Sequence, residues 1–329
     1  MIPSLPPAAE NVRRAAEALR AGRLVAFPTE TVYGLGAKAR DPIALARIFE
    51  AKRRPFFDPL ILHVADRAQY ASLVSPGALR DARAEALIAR FWPGPLTLVL
   101  PKAPDVPDLA TSGLPTVAVR MPSHPLALAL IREAGFPVAA PSANPFGRLS
   151  PTTAAHVQAQ FTGGIELILD GGPCAVGVES TIVSLAGEVP ALLRAGGIPL
   201  ETIAGVIGPV AAAPAALPQP QAPGQLPGHY APRTPLAIAG SAWPAGSRLG
   251  YLGFRSAPAA GFAASEMLSP GGDLREAAAN LFACLHRLDA AGLDGIVAEP
   301  VPETGLGAAI MDRLRKAAAG SGSGKIHFG

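Results

Sequence analysis

Hydroxyl, amide and cationic side chains recur where the apolar runs of this sequence stop. Leu24–Phe27 runs into Pro28-Thr29-Glu30-Thr31-Val32-Tyr33-Gly34-Leu35-Gly36, and Val138–Ala140 runs into Pro141-Ser142-Ala143-Asn144. Glu179-Ser180 leads into Thr181–Leu185, and Val117-Ala118-Val119 ends in Arg120. Short hydroxyls and amides at strand ends can hydrogen-bond a small polar ligand, with glycines letting the backbone approach it closely. For any one segment, turn chemistry is the simpler explanation. For four such segments in one part of a chain it is not.

A second group is Lys52-Arg53-Arg54-Pro55-Phe56-Phe57-Asp58-Pro59-Leu60. Arginine presents a planar fork to phosphate oxygens and lysine a compact point charge. The flanking prolines stiffen the loop. Taken alone, the run is equally well explained as charge capping a helix C-terminus. His63 near the end of Leu60–Val64, and Arg194 before Gly196-Gly197, gain interest only beside the rest. There is no GxxxxGK[ST] phosphate loop, no GxSxG elbow, and no convincing Ser/His/Asp set. Glu30, Asp58, Asp170 and Glu179 are too scattered to predict a metal cage. Cations, hydroxyls and an asparagine suit a nucleotide and a small amino acid, with chemistry by positioning and charge stabilisation.

The elements that must position these groups are short strands mixed with helices. Strands are predicted at Leu24–Phe27, Leu60–Val64, Leu96–Leu100, Val117–Arg120, Val138–Ala140, Ile165–Asp170 and Thr181–Leu185. Helices are predicted at Ala8–Ala21, Ile43–Ala51, Ala78–Ala89, His124–Ala134 and Thr152–Gln160, with Asp41-Pro42 and Pro151-Thr152 as helix starts. This pattern predicts an α/β (α+β) fold: a twisted mixed sheet, flanking helices and a concave ligand site. Near residues 206–228 the chain reads VIGPVAAAPAALPQPQAPGQLPG, which predicts an extended, semi-rigid linker. The expected division is 1–208, a linker at 209–232, and a smaller α/β domain at 233–329. In that last part Leu249–Gly253 and Gly295–Ala298 read as strands, and Asp273–Ala290 and Gly307–Ala319 as helices. The terminal residues 320–329, rich in Gly and Ser, are expected to be disordered.

Composition narrows the class further. The 329 residues suffice for two domains, and 49% are hydrophobic, enough for two cores. No run reaches the roughly 18–20 apolar residues of a membrane span, and the charged N-terminal segment reads as a surface helix rather than a leader. The two cysteines, Cys174 and Cys284, suggest neither a disulfide framework nor a CxxC zinc site and fit a reducing cytoplasm. A net charge of +3 and 5% aromatics argue against a protein that lives by clamping or stacking on RNA.

Pro28-Thr29-Glu30-Thr31-Val32-Tyr33-Gly34-Leu35, Lys52-x-Arg54-Pro55, Pro59-Leu60-Ile61-x-His63-Val64, Trp92-Pro93-Gly94-Pro95-Leu96-Thr97, Val119-Arg120-x-Pro122, Pro141-Ser142-Ala143-Asn144 and Glu179-Ser180-Thr181 stand in one order. Together they resemble the threonylcarbamoyl-adenylate synthases (YrdC-like), over nearly all of 10–200. The remainder resembles the long two-domain form, whose linker ends in a segment similar to Gly228-His229-Tyr230-Ala231-Pro232. That form also has a small Rossmann-like domain and a closing helix like Met311-Asp312-Arg313-Leu314.

The resemblance implies a nucleotidyltransferase that makes threonylcarbamoyl-AMP and pyrophosphate from ATP, L-threonine and bicarbonate. The product would serve modification of a tRNA adenosine beside the anticodon. It implies Mg²⁺ with ATP, a downstream threonylcarbamoyl transferase complex, tRNA met only indirectly, and a cytoplasmic setting; a homodimer is allowed for. Lys52 and Arg54 would face the phosphates as the catalytic pair. Thr31, His63, Arg120 and Ser180 would hold L-threonine. Lys52, Arg54, Asp58, Thr116, Ala140, Ser142, Asn144, Ser150, Arg194 and Tyr230 would meet ATP, with Tyr230 making the linker a lid. The family usually has asparagine where this chain has Asp58, so a contact from position 58 is an open expectation. Two competing readings are a carbamoyl-transfer enzyme of the hydrogenase-maturation type and a non-catalytic RNA-binding module.

Overall fold

The computed structural model describes residues 2–212, 219–226, 228–239, 243–244, 246–256 and 261–320. An eleven-stranded mixed sheet runs in the order Ser4–Leu5, Leu167–Leu169, Val25–Phe27, Gly34–Lys38, Val138–Ala139, Ile61–His63, Thr116–Arg120, Leu96–Pro101, Thr181–Ser184, Ala191–Arg194, Ala211–Ala212. Its strands alternate cleanly, as period-2 side chains must. Leu60, Leu62, Leu98, Leu100, Val117, Val119 and Val183 bury one face in the main core. Ile61, Val99, Ala118 and Ile182 point the other way, to where Ala222 of the linker sits fully buried.

A separate four-stranded parallel sheet, Leu236–Ile238, Gly295–Ala298, Leu249–Gly253, Ala264–Met267, packs with helices Leu274–Asp289 and Gly307–Gly320. Its apolar core also takes in Val32, Leu149 and Val178 of the large sheet's loops and Tyr230 of the linker. The two sheets therefore share an apolar seam, which favours a fixed relative placement.

Several sequence expectations change. The helix expected at Ala78–Ala89 is a 3₁₀ turn, Ala78–Arg80, followed by a helix Ala82–Phe91 that Asp81 caps. Asp81 accepts from Arg83 N, so its need for an extended backbone breaks the run in two. The Pro151-Thr152 start is displaced: Thr153 is the cap and the helix begins at Ala154. Asp41-Pro42 holds, with Asp41 accepting from Ile43 N and Ala44 N. Gly34-Leu35-Gly36, expected as the end of the ligand-binding segment from Pro28, instead opens a strand, Gly34–Lys38, paired on both sides. A Cβ at Gly36 would lie 2.9 Å from the Phe27 ring and 3.0 Å from Val138, so this glycine makes room for neighbouring side chains, not for a ligand.

The linker begins later than its composition suggests, because Leu200–Ile207 is helical and Ala211–Ala212 pairs with Ala191–Leu192. Residues 213–218 and 227 of the linker and 321–329 of the expected disordered tail lie outside the described residues. The described linker residues lie folded against the large sheet, with Ala222 buried, rather than standing free as a spacer.

Candidate active site

Helix Pro42–Lys52 ends by turning left-handed at Arg53, φ 51°. That turn leaves Lys52 buried, 1% exposed, and carries Arg54 into the same cavity. Lys52 Nζ donates to the carbonyl of Ser142 at 2.5 Å and to that of Asn144. Among the described residues no carboxylate pairs with it directly, and burial, then Arg54, pulls its pKa well below the ordinary lysine value. Arg54 donates to the carbonyls of Asp58 (3.0 Å) and Pro59 (2.8 Å) and pairs with the Asp58 carboxylate at 2.8 Å. Burial raises the Asp58 pKa against the pull of Arg54 and Lys52.

At the other end Arg120 is 4% exposed. It donates to Thr31 Oγ1 at 2.9 Å and Gly94 O at 3.2 Å, and pairs with Glu30 at 2.7 Å. Strand register sets His63 opposite Arg120. Burial and the Arg120 charge push the His63 pKa down to about 3, so its ring is neutral at physiological pH. Ser180 shares a 2.7 Å hydrogen bond with Thr97, and Arg194 donates to the Ser180 carbonyl at 3.0 Å. Gly196 permits this packing, since a Cβ there would lie 2.3 Å from the Glu179 carbonyl.

The linker closes the cavity. Pro223, Gly224, His229 and Tyr230 line it, and Arg194 Nη1 donates to Pro223 O at 3.2 Å. Tyr230 is 5% exposed and its hydroxyl is pushed up to about 12 by burial. The free space left is about 50 Å³, far below the roughly 300–1,000 Å³ of pockets for drug-sized ligands. As its side chains stand, the cavity is too small for an ATP-sized molecule.

Of the residues expected from sequence, Thr31, Lys52, Arg54, His63, Arg120, Ala140, Ser142, Asn144, Ser180, Arg194 and Tyr230 line this cavity. Asp58 and Ser150 do not line it but brace it: Asp58 holds Arg54, and Ser150 donates to Glu179 at 2.5 Å. Thr116 is not brought in. It pairs with Pro101 at the start of strand Thr116–Arg120, about 13 Å from Arg120 at ~3.3 Å per residue. Sequence reasoning missed Glu179 as a buried brace, Glu30 as partner of Arg120, and the part played by Arg313 of the closing helix. Glu30 and Glu179 stood beside hydroxyl residues and inside the motifs, and Arg313 inside the closing-helix segment, but nothing local gave any of the three its partner.

His63 Nδ1, Asn144 Oδ1 and His229 Nε2 are buried without a hydrogen-bond partner. Each such atom costs roughly 1–3 kcal/mol, which a polar ligand would offset. Among the described residues no three His, Cys, Asp or Glu side chains gather to hold a metal. A cation carried by phosphates would need few protein oxygens, and Asn144 Oδ1 is a buried oxygen without a hydrogen-bond partner.

Two family models cover the chain: one described as "Telomere recombination" matches residues 17–196, and "Threonylcarbamoyl-AMP synthase, C-terminal domain" matches 198–319. The threonylcarbamoyl-AMP synthase of Bacillus subtilis is 46% identical, with 94% of this chain and 93% of that protein covered. The enzyme of that name from Pyrococcus abyssi is also 46% identical, over 93% of this chain and 94% of that one. The crystal structure of P. abyssi Sua5 complexed with L-threonine superposes with a TM-score of 0.89 at 44% identity, covering 98% of each chain.

Proposed function

Since the chain belongs to the threonylcarbamoyl-AMP synthase family, we propose that it condenses ATP, L-threonine and bicarbonate into threonylcarbamoyl-AMP and pyrophosphate. The amine nitrogen of threonine bonds to the bicarbonate carbon and water leaves, giving a carbamate. A carbamate oxygen then bonds to the α-phosphorus of ATP as the bond to the β-phosphate oxygen breaks, and pyrophosphate departs with that electron pair. The product serves tRNA modification.

The observation that carries this reading is the pairing of two unlike ends in one closed cavity. Arg120, flanked by Thr31 and Ser180, suits an amino acid: its guanidinium can take the threonine carboxylate in place of Glu30. Lys52 and Arg54 suit phosphates and offset charge that builds up during displacement. Neutral His63, with a free Nδ1, offers a hydrogen bond without a competing charge. Mg²⁺, held by the phosphates and by Asn144, would neutralise triphosphate charge. Asp58 acts on ATP through Arg54, which it pairs with, and Ser150 acts through Glu179.

A threonylcarbamoyl transferase complex would consume the product, so tRNA is met indirectly, in the cytoplasm; no described helix is long and apolar enough to cross a membrane. The competing carbamoyl-transfer and RNA-binding readings gain no support from this cavity. The test is pyrophosphate release with ATP, Mg²⁺, L-threonine and bicarbonate. Release that needs both threonine and bicarbonate is expected, and Lys52→Ala or Arg54→Ala should lower it about a hundredfold or more. Release without threonine would overturn the assignment.

A further inference from the structure

Arg313, in the closing helix Gly307–Gly320 of the small domain, is the largest fully buried side chain among the described residues. Its guanidinium reaches three separate segments. Nε donates to Glu179 Oε2 at 2.8 Å, Nη2 donates to the Ala195 carbonyl at 3.0 Å, and the plane lies 4.8 Å from the centre of the Tyr230 ring. Nη1 pairs with the neighbouring Asp312. Glu179 stands directly before Ser180, and its second oxygen holds Ser150. Three residues further along the helix, Lys316 donates to the Gly224 carbonyl at 2.6 Å and pairs with Asp312 at 2.8 Å. A single helix face therefore grips the linker at Gly224 and at Tyr230 while it is bonded to the cavity wall.

We infer that Arg313 is a positioning residue: it anchors the lid to the Glu179 wall, so that the small domain supplies part of the closed active site. The charge balance requires it. Glu179 is buried, and Arg313 with Arg194 holds it ionised although burial alone would raise its pKa. Without Arg313, Glu179 is left short of a partner and the Tyr230 ring loses the cation it lies against. Lysine cannot replace it fully, because a point charge lacks the planar fork that meets a carboxylate, a carbonyl and a ring face together.

This inference rests on the synthase reading, and its test separates the two. Steady-state pyrophosphate release is measured against ATP and threonine for the wild type, Arg313→Met, Arg313→Lys and Glu179→Gln/Arg313→Met. The double variant removes both charges and guards against simple misfolding. Amide hydrogen exchange is followed over residues 219–232. Expected are an ATP KM raised about tenfold with kcat changed less than threefold, and exchange over 228–231 faster by about tenfold. Arg313→Lys should recover part of each. In a Tyr230→Ala background, Arg313→Met should add less than twofold. An unchanged ATP KM with only a lowered unfolding temperature would overturn the inference. So would an Arg313→Met effect undiminished by Tyr230→Ala. A wild type that releases no pyrophosphate would instead sink the synthase reading, while the exchange experiment would still report the grip on the lid.

Discussion

Arg120 at one end of the cavity and Lys52 with Arg54 at the other are equally buried, yet their charges are balanced differently. Arg120 has its own carboxylate, Glu30, at 2.7 Å and a hydroxyl, Thr31, at 2.9 Å. Among the described residues Lys52 has only backbone carbonyls as direct partners, and Arg54 has a single aspartate. The first end is a neutral socket where one carboxylate can exchange for another. The second carries surplus positive charge in a low-dielectric setting, where an unpaired cation is expensive. Such an arrangement persists when a polyanion normally completes it. In this molecule buried charge marks the chemistry better than fold does: the small domain has strands and helices of the same kind, yet its Glu299 is used up by Phe254 N and Tyr251.

The sharpest way to break this comparison is at the balanced end. Arg120→Met should lower kcat/KM for threonine about a hundredfold or more, while ATP affinity moves less than threefold. Equal losses for both substrates would mean that the two ends are not separate sockets.

Acid should act next. Burial holds both His63 and His229 near pKa 3, and for His229 the charges of Arg54, Lys316 and Lys52 add to burial. Their folded values lie below the unfolded value of about 6.5. As pH falls below about 6.5 the unfolded chain binds protons that the folded rings refuse, so stability drops with pH. The slope is at most about 1.4 kcal/mol per pH unit for each ring. Denaturant melts at pH 7.5 and 5.5 should show the loss, and His229→Gln should reduce it. An acid loss that His229→Gln leaves unchanged would show that the surplus end does not exclude protons.

The smallest effect belongs to Asp58→Asn. It removes negative charge from the surplus end and keeps an oxygen near Arg54. Activity should be retained or rise up to about threefold; a loss beyond tenfold would give this carboxylate its own role.

Much of the site was legible because it lies on alternating strands. Residues two apart share a face, so Ile61-x-His63 and Ala118-x-Arg120 place their polar members together. The helix start at Asp41-Pro42 and the cations after Lys52 were likewise local signals. The contacts of Arg313 were not legible. It meets a residue 134 positions away in another domain, and no local period or cap encodes such a meeting. The strand Gly34–Lys38 was hidden for the opposite reason: its glycines read as a loop, but their missing side chains are what lets Phe27 and Val138 pack. Thr116 shows the limit of motif order, since its strand carries it away from the cavity that the same strand's far end enters.

Tyr230 holds a backbone φ of 64°. An aromatic residue in that left-handed region gives up roughly 1–2 kcal/mol, which the burial of its ring and the facing Arg313 must outweigh. A Tyr230 that left the cavity would let this backbone relax, which would offset part of the contacts broken. The seated position of Tyr230 is therefore shallower than its contact surface suggests, so modest changes at its contacts should shift it.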